Sequence, residues 1–252
     1  MAHGTNRKLG RKAVKTDSRT LQLAKYTTAL PPAPPTQDWT KGITSWGMML
    51  NDTLGDCTIA GVGHAVQVWS ANTAAEVTVP DSQILHYYEK WDGYNPKIPS
   101  SDRGGIELDV LNHWKKSGFD KHKLLAFADP AVANLDEVRQ AIELFGGVYI
   151  GLSLPLTAED QVNAGEIWDV VTPSGPKTAP GSWGGHCVFV PKYDATSFTC
   201  ITWGGLQAMT LAFWNAYVDE AHALLSPDWI AAKGSPVGLD LVQLKADLAQ
   251  ID

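Results

Sequence analysis

The spacing of apolar residues changes character near residue 146. Before it, apolar positions recur at helical intervals. Residues 57–70 carry Ile59, Ala60, Val62, Ala65, Val66, Val68 and Trp69 with few polar interruptions. A helix apolar on nearly all sides is a buried one. Residues 81–90 predict a second helix with Asp81 as its cap. Residues 105–117, with Ile106, Leu108, Val110, Leu111 and Trp114, predict a third. Asn134 is placed to cap a fourth over 135–145, which Gly146-Gly147 would end. Beyond that point, runs at 148–154, 187–190 and 197–202 read as strands, with a turn over 192–196. Residues 206–211 predict a further strand and 212–225 a helix. Helices first and strands second indicate an α+β chain with segregated lobes and a cleft between them.

The amino-terminal segment follows neither pattern. Arg7, Lys8, Arg11, Lys12, Lys15, Arg19 and Lys25 face Asp17 alone within residues 1–36, so this arm is strongly basic while the chain as a whole carries −7. The run Leu30-Pro31-Pro32-Ala33-Pro34-Pro35 reads as a stiff polyproline-type linker. The expected organisation is a basic arm and linker over 1–36 and one folded domain over 37–252. That domain divides into a helical lobe at about 45–145, a β lobe at about 146–225 and an extension over 226–252. A basic arm on an acidic body suits self-association or an acidic partner, and a solvated terminus is the plain alternative. Removing residues 1–29 is expected to leave the melting temperature nearly unchanged and to abolish any self-association. Nucleic acid is disfavoured, because no recognition motif accompanies the charge.

No apolar run approaches the length of a membrane span, and residues 1–30 lack the apolar core of a signal peptide. The three cysteines, Cys57, Cys187 and Cys200, are too few and too odd in number for a disulfide framework. A cytoplasmic or particle-associated location is the expectation.

Two residues stand out chemically. Cys57 opens the buried helix, where free N–H groups favour a thiolate and could stabilise an oxyanion. His186 follows Gly184-Gly185 and precedes a strand, a position from which an imidazole can reach across a cleft as general base. Asp56 sets a carboxylate beside the thiol, which raises a thiol's pKa. His64, two helical turns beyond Cys57, is too far along the axis to act as base and reads as a core residue. His86 and Glu89 read as surface. Asp102, Glu107, Asp109 and His113 read as a solvated face, and no metal or cofactor is expected.

The order of short motifs resembles that of the papain-like cysteine peptidases over roughly residues 37–225. Asp38-Trp39, Asn51 and Gly55-Asp56-Cys57 resemble the family's Asp-Trp, amide and Gly-Ser-Cys run, with matching spacing. Gly147-Val148-Tyr149-Ile150-Gly151, then Gly184-Gly185-His186-Cys187-Val188, then Thr202-Trp203-Gly204, resemble its later strands in order. The resemblance implies a two-lobed papain-like fold: a helical N-terminal lobe, an antiparallel β-sheet C-terminal lobe and a cleft between. It implies Cys57 as nucleophile, His186 as acid and base, Asn51 as oxyanion donor beside the Cys57 backbone N–H, and Trp203 as a shield for the pair.

The departures mark a divergent member. Asn51 is shorter than the family's glutamine. Ile201 stands at the histidine-orienting asparagine and accepts no hydrogen bond, so Thr202 serves only if the strand end shifts by one residue. Thr58 and Leu54 replace a family aromatic and a disulfide cysteine, and residues 1–36 are shorter than the family's inhibitory propeptide. Two functions are therefore expected. One is a thiol hydrolase of peptide or other amide bonds, of bacterial or phage type. In it, Cys57 should alkylate faster than Cys187 and Cys200. The other is a decayed pseudoenzyme that uses the scaffold, through its basic arm, in assembly of a particle or shell. A transglutaminase-like arrangement ranks below both, for want of an aspartate at 201 or 202.

Overall fold

The computed structural model describes residues 7–27, 32–234 and 239–251. Leu30 and Pro31 of the expected polyproline run lie outside the described residues.

Strand β1 (Gln37–Asp38) leads into a loop and then helix α1 (Cys57–Thr73). All of α1 from Cys57 to Ser70 is buried, as its near-uniform apolarity requires. Helix α2 (Asp81–Asp92) starts after Pro80, so Asp81 occupies its first turn and is not the cap, although its charge still favours the helix start. Helix α3 (Glu107–Ser117) buries Leu108, Val110, Leu111 and Trp114. Strand β2 (Ala126–Ala128) follows, then α4 (Leu135–Phe145), whose cap Asn134 accepts the Glu137 N–H at 3.4 Å. The second half comprises β3 (Val148–Leu154), α5 (Leu156–Ala164), β4 (Gly184–Tyr193), β5 (Ser197–Thr202), β6 (Gly205–Thr210), α6 (Leu211–Tyr217) and β7 (Val218–Leu225). Helices α7 (Pro227–Lys233) and α8 (Leu241–Ile251) close the chain.

The sheet runs β2-β7-β3-β4-β5-β6, every neighbouring pair antiparallel, with β1 pairing on β4. Helix α1 lies against it. Gly61 allows that approach, since a Cβ there would sit 2.8 Å from the Tyr149 ring. The fold is thus the expected α+β arrangement of a helical part against an antiparallel sheet. No helix among the described residues is long and apolar enough to cross a membrane.

Two further sequence expectations fail for physical reasons. Residues 218–225 form a strand where a helix was expected. Their Ala, Glu and Leu favour helix intrinsically, but β7 is paired on both sides, by β2 and β3, and is buried apart from Asp219. Tertiary pairing outweighs propensity there. Glu107, expected on a solvated face, has no exposed surface.

The arm is the larger departure, because residues 7–27 are laid along the body. The Lys8 N–H donates to Asn51 O (3.0 Å), the Arg11 N–H to Gly185 O (3.1 Å) and the Lys12 N–H to Gly105 O (2.8 Å), while the Gly105 N–H donates to Gly10 O (2.9 Å). Further on, Leu23 and Tyr26 enter a small core with Phe145, Leu225 and Leu244. Lys25 and Tyr26 reach Asp247 at 2.5 and 2.7 Å. The arm's cation at position 11 is buried, with 2 % of its side chain exposed, among Glu107, Asp219 and Glu220.

Removing one partner of a buried ion cluster leaves uncompensated charge. Arg11→Ala should therefore lower the unfolding free energy by about 3–5 kcal/mol in urea titrations, with the exposed Lys12→Ala within about 0.5 kcal/mol of wild type. Deleting residues 1–29 should cost at least as much as Arg11→Ala, contrary to the expectation for a free tail.

Candidate active site

Cys57 begins α1 and is fully buried at the junction with the sheet. The backbone N–H groups of Cys187 and Gly10 face its sulfur and favour the thiolate. The first belongs to the residue after His186, so helix start and histidine strand meet at the sulfur. The second belongs to the arm.

His186 is likewise buried, on β4 opposite Leu152 of β3. Its Nε2 lies 2.7 Å from Thr202 Oγ1 at the end of β5. Trp203 stacks on the ring, with centroids 4.4 Å apart and planes 9° from parallel. The β5–β6 turn makes this stacking: Trp203 and Gly204 both have positive φ, 45° and 73°, and together fold the indole back over the imidazole. Nδ1 of His186 is buried without a hydrogen-bond partner. Ile201 packs in the core, and Thr202 takes the orienting position.

Asn51 is buried near the start of α1, and its amide donates to Leu54 O and Asp56 Oδ1, both at 3.2 Å. Both amide hydrogens are therefore spent on the turn. Burial holds the Asp56 carboxyl well above its usual range, against the pull of the Asn51 hydrogen bond. His64 bonds Gly47 O at 2.9 Å as a core residue, and burial pulls its pKa down to about 4.

Desolvation dominates the electrostatics of the pair. Burial pushes the Cys57 thiol up to about 12 despite the two N–H donors. It pulls His186 down to about 3, with His64 and Arg11 adding to the effect. The helix start alone would favour a thiolate. With the arm in place, burial wins, and the thiol and the imidazole are both neutral.

The arm runs through the cleft between the lobes. A Cβ at Gly10 would lie 1.7 Å from Gly55 O, and one at Gly185 would lie 2.3 Å from Arg11 O. Both positions require glycine for close passage of two backbones. Trp203 Nε1 donates to Lys8 O at 3.2 Å, so the shield of the histidine also grips the arm. The arm presents an N–H to the sulfur and pairs in parallel with Gly105.

A second cluster adjoins the thiol. Arg11 Nε donates to Glu220 Oε1 at 2.7 Å and faces Glu107 Oε1 at 3.1 Å, and Nη1 reaches Asp219 Oδ2 at 3.2 Å. His222 Nδ1 donates to Asp129 at 2.6 Å, and its Nε2 faces Glu220 and Glu107 at 3.6 and 3.8 Å. Burial works against the imidazolium, but Asp129 and Glu220 raise His222 to about 10. Glu107, Glu220 and His222 are close enough to hold a metal ion. A metal ligand must be deprotonated, however, and Arg11 already supplies the cation. Sequence reading missed this cluster because Glu220 and His222 fell in the segment read as helix.

Similar folds occur among solved structures. Xylellain, a cysteine protease from Xylella fastidiosa, superposes with a TM-score of 0.64 at 14% identity, covering 87% of this chain and 96% of that one. The fold is papain-like. The Carica candamarcensis cysteine protease CMS1MS2 gives 0.54 at 15% identity over 76% of this chain and 98% of its own. The ragweed pollen allergen Amb a 11, a cysteine protease solved in its proform, gives 0.55 at 15% identity over 78% and 66%. No family model matches the sequence, and no curated protein does. At these identities the papain-like likeness concerns architecture alone.

Two outcomes follow from the electrostatics. Cys57 in the intact chain should alkylate with iodoacetamide no faster than the buried Cys187 and Cys200, and Gly10→Ala should accelerate its labelling at least about tenfold by lifting the arm. His222, raised above its unfolded pKa of about 6.5, contributes stability that is complete below that pH and lost as pH rises toward 10. The stability difference between wild type and His222→Gln in urea melts should therefore be largest below pH 6.5 and narrow up to pH 10.

Proposed function

We propose that this chain is a thiol hydrolase of peptide or other amide bonds, held latent by its own amino-terminal arm. The observation that carries the reading is the set around His186. Nε2 is fixed by Thr202 Oγ1, Trp203 covers one ring face, and Nδ1 is left without a partner, in the strand whose next N–H points at the Cys57 sulfur. A buried imidazole nitrogen without a partner is uncommon, and it leaves Nδ1 free to take a proton.

In the reaction, Nδ1 of His186 takes the Cys57 thiol proton as the sulfur attacks the substrate carbonyl carbon. The C–S bond forms and the carbonyl π pair moves to oxygen. That oxyanion is met by the Cys57 backbone N–H and by the Asn51 amide once it turns from Asp56. Collapse expels the amine, which leaves with the proton from His186. Water then cleaves the thioester with His186 again as base, restoring the thiol. Nε2–H donates to Thr202 throughout, holding the tautomer in which Nδ1 is the base. The arm prevents this sequence in two ways: it excludes substrate, and it removes the water that stabilises a thiolate–imidazolium pair.

A fluorogenic peptide assay on purified full-length variants tests the reading. Gly10→Ala should hydrolyse peptide amides where wild type is nearly silent. Cys57→Ala added to it should abolish turnover, and Thr202→Val should lower kcat by about 10–10² with little change in KM. Turnover that survives loss of the Cys57 sulfur would sink the assignment.

A further inference from the structure

The arm does more than obstruct: at residue 11 it fills a pocket whose construction specifies a chemical class. Resting on the hydrolase reading, we infer that this pocket is a specificity site for a guanidinium side chain of the substrate, and that Arg11 is its tethered stand-in.

Three features build the pocket. Gly151 of β3 forms the wall against which the guanidinium lies, for a Cβ there would stand 2.2 Å from Arg11 Nε. The β3–β7 register shifts between Gly151 and Leu152, so Gly151 pairs with Glu220 while Leu152 pairs with Val218. Consecutive strand residues ordinarily point to opposite faces. The bulge at Asp219 instead aims Asp219 and Glu220 at one guanidinium. Glu107 closes the pocket from the first turn of α3, in the other lobe. Ser153 Oγ donates to Asp219 Oδ2 at 2.6 Å and fixes the carboxylate that Arg11 meets with both terminal nitrogens.

The pocket's position matters as much as its charge. The Gly10 N–H faces the Cys57 sulfur, and the next residue places its side chain in the pocket. Its backbone N–H is held by Gly185 O, one residue before His186. A peptide lying in the same cleft with one residue at the sulfur therefore offers the neighbouring side chain to these carboxylates. Two carboxylates meeting the same fork, with a third at its Nε, match the planar geometry of arginine better than the point charge of lysine. A leucine there would leave Asp219, Glu220 and Glu107 facing an apolar group. Clearing the pocket of Arg11 makes room for a substrate arginine, so latency and specificity share one site.

The test uses the full-length Arg11→Ala chain, or Arg11→Gln should the first fail to fold. Two fluorogenic peptides differ only in carrying Arg or Leu on both sides of the residue seated at the sulfur, so that either chain direction presents that side chain to the pocket. The expected kcat/KM ratio is about 10² in favour of Arg, and Glu220→Gln in the same background should cut it at least about tenfold. Binding is read separately from turnover, by thermal unfolding with millimolar n-propylguanidinium or its uncharged analogue n-propylurea. The guanidinium should raise the midpoint by about 2–4 °C and the urea should not. Equal rates on the two peptides, or equal responses to the two small molecules, overturn the pocket assignment and leave the hydrolase reading standing. A guanidinium-specific shift with no hydrolysis of either peptide does the reverse.

Discussion

Keeping water away from one sulfur and one imidazole sets the state of this protein. A helix start and two backbone donors all favour a thiolate at Cys57, yet complete burial outweighs them and leaves the thiol protonated. The same burial leaves His186 neutral. Neither residue is defective in its surroundings, since the ring is oriented by Thr202 and covered by Trp203. What keeps water from them is a layer of backbone, residues 8–12, that is hydrogen-bonded to both lobes.

That layer is held by charge as well as by main chain. Arg11 brings a cation into a pocket whose acids come from α3 on one side and β7 on the other. Burial, reinforced by Glu220, holds the Glu107 carboxyl above its usual range, and Arg11 and His222 work against that shift. The ion cluster therefore links the two lobes and the arm. The three are stable together in a way that no pair of them is, because each removal leaves buried charge unmatched.

Much of the architecture was legible in the sequence. The unbroken apolarity of α1, the Asn134 cap and the strands from Val148 and Ser197 follow from periodicity and capping chemistry. That the start of α1 and the strand carrying His186 come together was legible from motif order. The place of Thr202 was half legible: Ile201 excluded itself as a hydrogen-bond acceptor, and the Thr202 hydroxyl is the group that reaches the ring. What was hidden was hidden for cause. Residues 218–225 carry helix-forming side chains whose fate is decided by partners on both sides, so Glu220 and His222 could not be placed. The arm's lysines and arginines look alike in sequence. Only the glycines at 10, 104, 151 and 185, each allowing a backbone or a guanidinium to pass close, distinguish the segment around Arg11 from the rest.

The arm is tethered at its far end too, where Lys25 and Tyr26 meet Asp247 of the last helix and the Asp240 N–H donates to Tyr26 O at 3.0 Å. A plug tied at its base returns to the cleft at the effective concentration of an intramolecular ligand, on the order of millimolar for a short connection. One cut in the chain between Lys12 and Leu23 would leave the anchor in place and turn the plug into a separate short peptide, diluted by the whole solution. Control over the cleft would then pass from the strength of the contacts to the continuity of a few peptide bonds.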